Sequence, residues 1–281
     1  MEIGASSACF YPMQTEQTFE LLAAAGVRHI EIFLNAACEA DEDFCREMRA
    51  RADALGLQVI SVHPYCGAYE YINLFSFYER RRADGLRDYQ RIARAGEILG
   101  AKYITFHGDR LNSPMPADPE RYCSALAKII GIAQQHGLLL AQENVCWCTS
   151  SQLEFLRQVD ERLRPMGLHY TLDIKQALRA GNVWQDYERI MRGRIVNVHI
   201  SDNSKEESCL LPGRGEMDFA AFFRTMQRHG YRGDYLIEVY RKNFEHPSQL
   251  GEAKEYLQSC LHHCQQEYEP QSQLKMCVET L

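Results

Sequence analysis

Six ionisable residues stand inside apolar runs, where a charge is hard to accommodate. They are His63 in QVISVH, His107 in AKYITFH, Glu143 in LLLAQEN, Asp173 in HYTLDI, His199 in IVNVHIS and Glu238 in DYLIEVY. A charged side chain in a core is costly unless it is paired or bound to a metal. Three carboxylates brought together without a cation would repel and raise one another's pKa. Any one of the six alone is equally a satisfied buried polar residue. Taken together, Glu143, Asp173, His199 and Glu238 read as the ligands of one divalent ion. Oxygen-rich ligation with a single imidazole suits Mn²⁺, Mg²⁺, Co²⁺ or Fe²⁺, and Zn²⁺ is compatible.

Such residues converge only if their elements are ordered. Eight β-rich runs occupy 2–10, 28–34, 58–63, 101–107, 138–144, 169–174, 195–201 and 234–240, and segments of helical period separate them. Several of these segments stop at a glycine, which takes the left-handed C-terminal position at little cost. Strand–helix alternation predicts parallel strands joined by right-handed crossovers, and strands this apolar are buried on both faces. Eight such units fit an α/β fold of one closed (β/α)8 TIM barrel, expected over residues 1–268, with a short C-terminal extension over 269–281. An open doubly wound sheet is the alternative, but the first strand is followed by a serine- and cysteine-containing turn and not by a glycine-rich one. In a barrel the chemistry lies at the C-terminal ends of the strands. Seven of the eight runs place an ionisable residue near that rim, Glu31 on the second included, where it either faces the pocket or braces a loop.

Composition agrees. At about 150 residues per domain, 281 residues leave one or two domains open, and α/β barrels are single units of similar size. A hydrophobic share of 46% and a charged share of 25% exclude disordered, collagen-like and coiled-coil chains. No apolar run is long enough to span a membrane, and the N-terminal residues lack a basic stretch followed by an apolar one, so a cytoplasmic enzyme is expected. A formal charge of −7 argues against a nucleic-acid partner. The 11 cysteines are scattered and read as reduced thiols. Cys260, His263 and Cys264 share one helical face and form a weaker zinc set.

The pieces HIEIF (29–33), SVH (61–63), FHGD (106–109), QENV (142–145), LDIKQAL (172–178), VHISDN (198–203), LPGRGEMDF (211–219) and LIEVY (236–240) follow one another on these strands. In that order they resemble the xylose isomerase-like TIM barrel superfamily, which includes the sugar phosphate isomerase/epimerase family, inosose dehydratase-like proteins and apurinic endonucleases. The resemblance implies the same four metal ligands, with His63 and His107 lining the pocket. It also implies a catalytic pair, Glu143 and Glu238, moving a proton on and off an enediolate. The endonuclease branch resembles a three-zinc site with a histidine three residues after the sixth-strand aspartate, where this chain has Gln176. It needs a further histidine and aspartate in the segment that here reads KEESCLLPGRG. A phosphodiesterase acting on apurinic DNA is therefore short of ligands.

The leading expectation is a metal-dependent isomerase or epimerase of a sugar or sugar phosphate. A dehydratase of inosose or a related ketopolyol would share the first proton abstraction and then expel a hydroxyl. A non-catalytic sugar-binding barrel would not need the full ligand set. For substrate binding, His63 and His107 either contact hydroxyls or orient the ligands. Gln176, with Asn144 and Asp202, is expected beside the ligands. Arg214, in the turn PGRGE, is placed to meet a phosphate or carboxylate. Trp147 is expected to wall a sugar ring, with Phe10, Tyr11, Tyr65 and Tyr240 as alternatives. The partner is thus a small sugar or polyol, with neither nucleic acid nor membrane, and residues 246–281 offer a surface for a homo-oligomer.

Overall fold

The computed structural model describes residues 1–64, 67–112 and 117–278. Tyr65, one of the expected pocket aromatics, lies outside them. The strands are β1 (Ile3–Ser6), β2 (His29–Phe33), β3 (Gln58–His63), β4 (Tyr103–Phe106), β5 (Leu139–Glu143), β6 (His169–Asp173), β7 (Ile195–Ile200) and β8 (Asp234–Ile237). Each pairs in parallel with its sequence neighbours, and β8 returns to β1, closing the barrel. The helices are α1 (Thr15–Ala24), α2 (Glu42–Leu55), α3 (Gly67–Asn73), α4 (Glu79–Leu99), α5 (Pro119–Gln135), α6 (Leu153–Leu163), α7 (Ile174–Arg179), α8 (Trp184–Met191), α9 (Phe219–Arg228) and α10 (Ser248–Val278). The last of these runs through the boundary expected at residue 268. The expected (β/α)8 fold is the fold observed. Among the described residues no helix is long and apolar enough to cross a membrane.

Local chemistry accounts for the elements. The long helix α4 ends where Gly100 adopts φ +76°, a left-handed conformation that other residues take only with strain. In α9, Phe219, Phe222, Phe223 and Met226 repeat at three- and four-residue spacing and are all buried, so one stripe of the helix covers the barrel. The Phe223 ring stands 4.8 Å from Tyr235 of β8, edge to face.

Two strand ends differ from expectation. The first strand stops at Ser6, not residue 10, because the Ser6 hydroxyl accepts a hydrogen bond from the Ala8 amide and starts a 3-10 turn over Ser7–Phe10. The last strand ends at Ile237, so Glu238 stands just above the sheet. Two neighbouring pairs shift register, between Ile30 and Glu31 in β2 and between Tyr170 and Thr171 in β6. Such irregularities re-aim the side chains beside them, and here they lie next to Glu31 and two residues before Asp173.

Candidate functional site

Three strands, with the residue that follows a fourth, bring the four expected ligands to one place. One ligand atom from each of Glu143, Asp173, His199 and Glu238 falls within 4.8 Å of the others. Nδ1 of His199 lies 3.3 Å from Oε1 of Glu143, 3.5 Å from Oε2 of Glu238 and 3.8 Å from Oδ2 of Asp173. Atoms about 2.1 Å from a common ion, as in metal sites of this type, stand apart by similar distances.

Asp173 and the end of β5 that carries Glu143 are held from behind. Asp173 caps α7, its Oδ1 accepting from the Gln176 amide at 2.8 Å, which leaves Oδ2 turned inward. Asn144 grips the Asp173 backbone on both sides, donating to its carbonyl and accepting from its amide. The carbonyl of Glu143 accepts from Gln142 and Ser150, and Gln142 also donates to the carbonyls of Phe106 and His107, tying β5 to the end of β4. Oε2 of Glu143 and Oδ2 of Asp173 are buried and accept no hydrogen bond of regular geometry, although Nε2 of His107 and Nζ of Lys175 stand 3.0 and 2.9 Å from them, so a bound cation would satisfy both. The donor set is therefore one that fits a divalent ion.

Below these four residues lies Glu31, which neither lines the cavity nor braces a loop. Its Oε2 accepts from Ser61 at 2.7 Å and from Thr105 at 3.2 Å, and it faces Nε2 of His199 at 3.2 Å. A histidine that donates one ring N–H to a carboxylate presents its other nitrogen with a free lone pair, the arrangement that orients metal-binding imidazoles. Burial alone would raise the Glu31 carboxyl, but the charge and hydrogen bond of His199 outweigh it and hold it at about 2. Burial opposes charge on His199 too, yet the surrounding carboxylates push it well above its usual range. Burial raises Asp173.

The cavity above the four-residue cluster holds about 400 Å³ and is lined by Glu143, Glu238, His63, His107, Trp147 and Gln176, among others. His63 and His107 meet at 3.0 Å through their Nε2 atoms, and both face Oε2 of Glu143, at 3.5 and 3.0 Å. With Glu143 they form a second set of three donors within 4.8 Å. His63 is raised to about 9, since burial is outweighed by its contact with the Glu143 carboxylate and by the other carboxylates nearby. The Trp147 ring stands edge-on to His107 at 5.4 Å, and Gln176 accepts from the Cys146 amide.

Other expectations fall elsewhere. Arg214 is exposed and lies 3.9 Å from Glu252 on the outer surface, away from this cavity, so the anion contact expected of it has no place here. Asp202 is not beside the ligands. It accepts from the amides of Asn203, Gly213, Gly215 and Met217, folding the loop after β7 around itself. A side chain at Gly215 would strike the Asp202 carboxylate at 2.4 Å. Cys260, His263 and Cys264 do not bring three ligand atoms together.

One buried cation was not anticipated. Lys175, the third residue of the LDIKQAL piece from its acidic start, is 3% exposed, with Nζ 2.5 Å from Oε2 of Glu238 and 2.9 Å from Oδ2 of Asp173. The signal was present, since it is an ionisable residue in an apolar stretch like the other six. A cavity of about 380 Å³ at the opposite end of the barrel is lined by Glu188, Arg192 and His229, with Glu188 paired to both of the others.

Residues 19–260 match the family model of the xylose isomerase-like TIM barrel. The chain belongs to this family. It is similar to the 3-dehydro-D-guloside 4-epimerase of Escherichia coli strain K12, 24% identical over 92% of this chain and 100% of that one. An uncharacterised Mycobacterium bovis protein is 24% identical over 93% of this chain and 98% of its own. The solved structure of a D-tagatose 3-epimerase-like protein superposes with a TM-score of 0.80 at 19% identity, covering 95% of this chain and 99% of that one. Within this family barrel the four-residue cluster thus occupies the C-terminal rim of the strands, where barrels carry their chemistry.

Proposed function

We propose that this barrel is a divalent-metal-dependent isomerase or epimerase of a sugar or sugar phosphate, working through an enediolate. The observation that carries the reading is the convergence of Glu143, Asp173, His199 and Glu238 at the floor of a cavity that Glu143 and Glu238 also line. The epimerase named among the relatives supports the substrate class. When bound, a divalent ion supplies Lewis acidity, polarising a carbonyl and acidifying the adjacent carbon-bound proton.

The chain's own residues supply the rest. A proton-transfer group must lie within hydrogen-bond reach of its proton. Glu143 and Glu238 come from β5 and from the end of β8, so they approach a bound sugar from different sides, one to take the proton and the other to return it. Return to the neighbouring carbon is isomerisation, and return to the same carbon from the opposite face is epimerisation. His63 and His107 hold hydroxyls, Gln176 adds an amide contact, and Trp147 closes the wall of the cavity over the ring. The aromatic wall excludes water, which strengthens each polar contact inside.

A panel of ketoses, their phosphates and inososes in D₂O with Mn²⁺ tests this. Solvent deuterium should enter at the carbon next to the carbonyl, with a new sugar isomer and no loss of water. Loss of water would make the chain a dehydratase instead. Glu143→Gln should reduce exchange by about 10²-fold or more, and full retention of exchange in that variant would remove Glu143 from the proton path.

A further inference from the structure

Lys175 has no part in that scheme, yet it occupies the centre of the site. It is the second residue of α7, two after Asp173, is almost fully buried, and places Nζ against Oδ2 of Asp173 and Oε2 of Glu238. These are two of the three carboxylate oxygens that face Nδ1 of His199. A divalent ion would sit about 2.0–2.4 Å from each oxygen it binds. Ion and ammonium would then lie within roughly 5 Å of one another, drawing on the same two oxygens where little water screens them. One of the two cations must yield. Asp173 is fixed by the helix cap and by Asn144, whereas a lysine carries its charge on a flexible four-carbon stem. The contact to Asp173 also lacks hydrogen-bond geometry, since Oδ2 has no donor. The side chain has somewhere to go, because Lys175 lines the sugar cavity with Nζ 5.7 Å from the centre of the Tyr240 ring.

We propose that Lys175 is the resident counter-cation of this centre, that a divalent ion displaces its ammonium from Asp173 and Glu238, and that the displaced ammonium then stands in the cavity beside Tyr240 as a donor to substrate oxygens. The proposal rests on the metal reading of the site. It makes the empty and loaded forms differ in one side chain, and it confines the substrate-facing cation to the loaded form.

Two measurements on the full chain test it. In calorimetric titration with Mn²⁺, Lys175→Met should bind the ion more tightly than the wild type by about tenfold or more, because no ammonium has to leave. In acetic anhydride labelling read by mass spectrometry, wild-type Lys175 should be protected in EDTA and reactive in saturating Mn²⁺, with exposed Lys205 and Lys242 reactive in both. Equal or weaker Mn²⁺ binding by a folded variant overturns the proposal and makes Lys175 a brace for the ligands. Protection that persists in saturating Mn²⁺ overturns it on the wild-type chain alone, whether or not the variant folds. Mn²⁺ binding to neither protein would remove the metal reading, and the displacement with it.

Discussion

Glu31 illustrates how the surroundings of a single carboxylate decide what it does. Its type and its place in an apolar strand were legible, but its direction was not, because a register shift beside it turns the side chain into the barrel beneath His199. There its pKa is held at about 2 against an ordinary 4.5. A carboxyl depressed by folding stabilises the fold above its unfolded value, and that contribution fades as pH falls from about 4.5 towards 2. The shift corresponds to about 3 kcal/mol at neutral pH. Glu31→Gln should therefore flatten the loss of stability between about pH 5 and pH 3, read by urea unfolding of the metal-free protein. An unchanged pH slope would mean that Glu31 is not charged against His199. Arg214 and Lys175 mark the same limit of sequence reading from two sides. A glycine-flanked turn flagged Arg214, but a turn motif does not say where the turn points. Lys175 stood in an apolar run, and only the cap at Asp173 reveals that it folds back onto Asp173 and Glu238.

At the scale of elements, the apolar runs and their helical spacers carried all eight strands, because burial on both faces leaves a continuous hydrophobic signature. Their ends were less legible. Ser6 breaks β1 through a side-chain cap, and the chain leaves the sheet before Glu238, and neither event changes the hydropathy of the run. Helix α9 is the clearest case of pattern becoming packing, with Phe222 fully buried between Trp184 and Tyr235. Truncating a buried phenylalanine removes its transfer energy and leaves a cavity, at about 3–5 kcal/mol. Phe222→Ala should lower the unfolding free energy by that amount in chemical denaturation. The site hangs on β5 to β8, and Phe222 meets β8 at Tyr235, three residues before Glu238, so Mn²⁺ affinity of the folded variant should stay within about threefold of wild type. A larger loss would show that α9 positions Glu238.

The whole molecule brings together residues as far apart in the chain as Glu31 and Glu238, and closure of the barrel is what makes their charges meet. In the metal-free protein His199 is held protonated by the carboxylates around it, and that contribution to stability is present below about pH 6.5 and lost as pH rises through the raised folded value. A divalent ion needs the lone pair of Nδ1 and so competes with that proton. Loading therefore gains strength as pH rises, and the thermal stabilisation by Mn²⁺ over EDTA should be larger at about pH 8 than at about pH 6. At a hundredfold excess over the dissociation constant the ion contributes about 2.7 kcal/mol. For a chain of this size that is a rise in melting temperature of roughly 5 °C at the higher pH. Scanning calorimetry at both pH values checks the sign as well as the size. A shift that is larger at the lower pH would mean that the ion does not take the nitrogen facing Glu143, Asp173 and Glu238, and the convergence of the four residues would then need a purely structural reading.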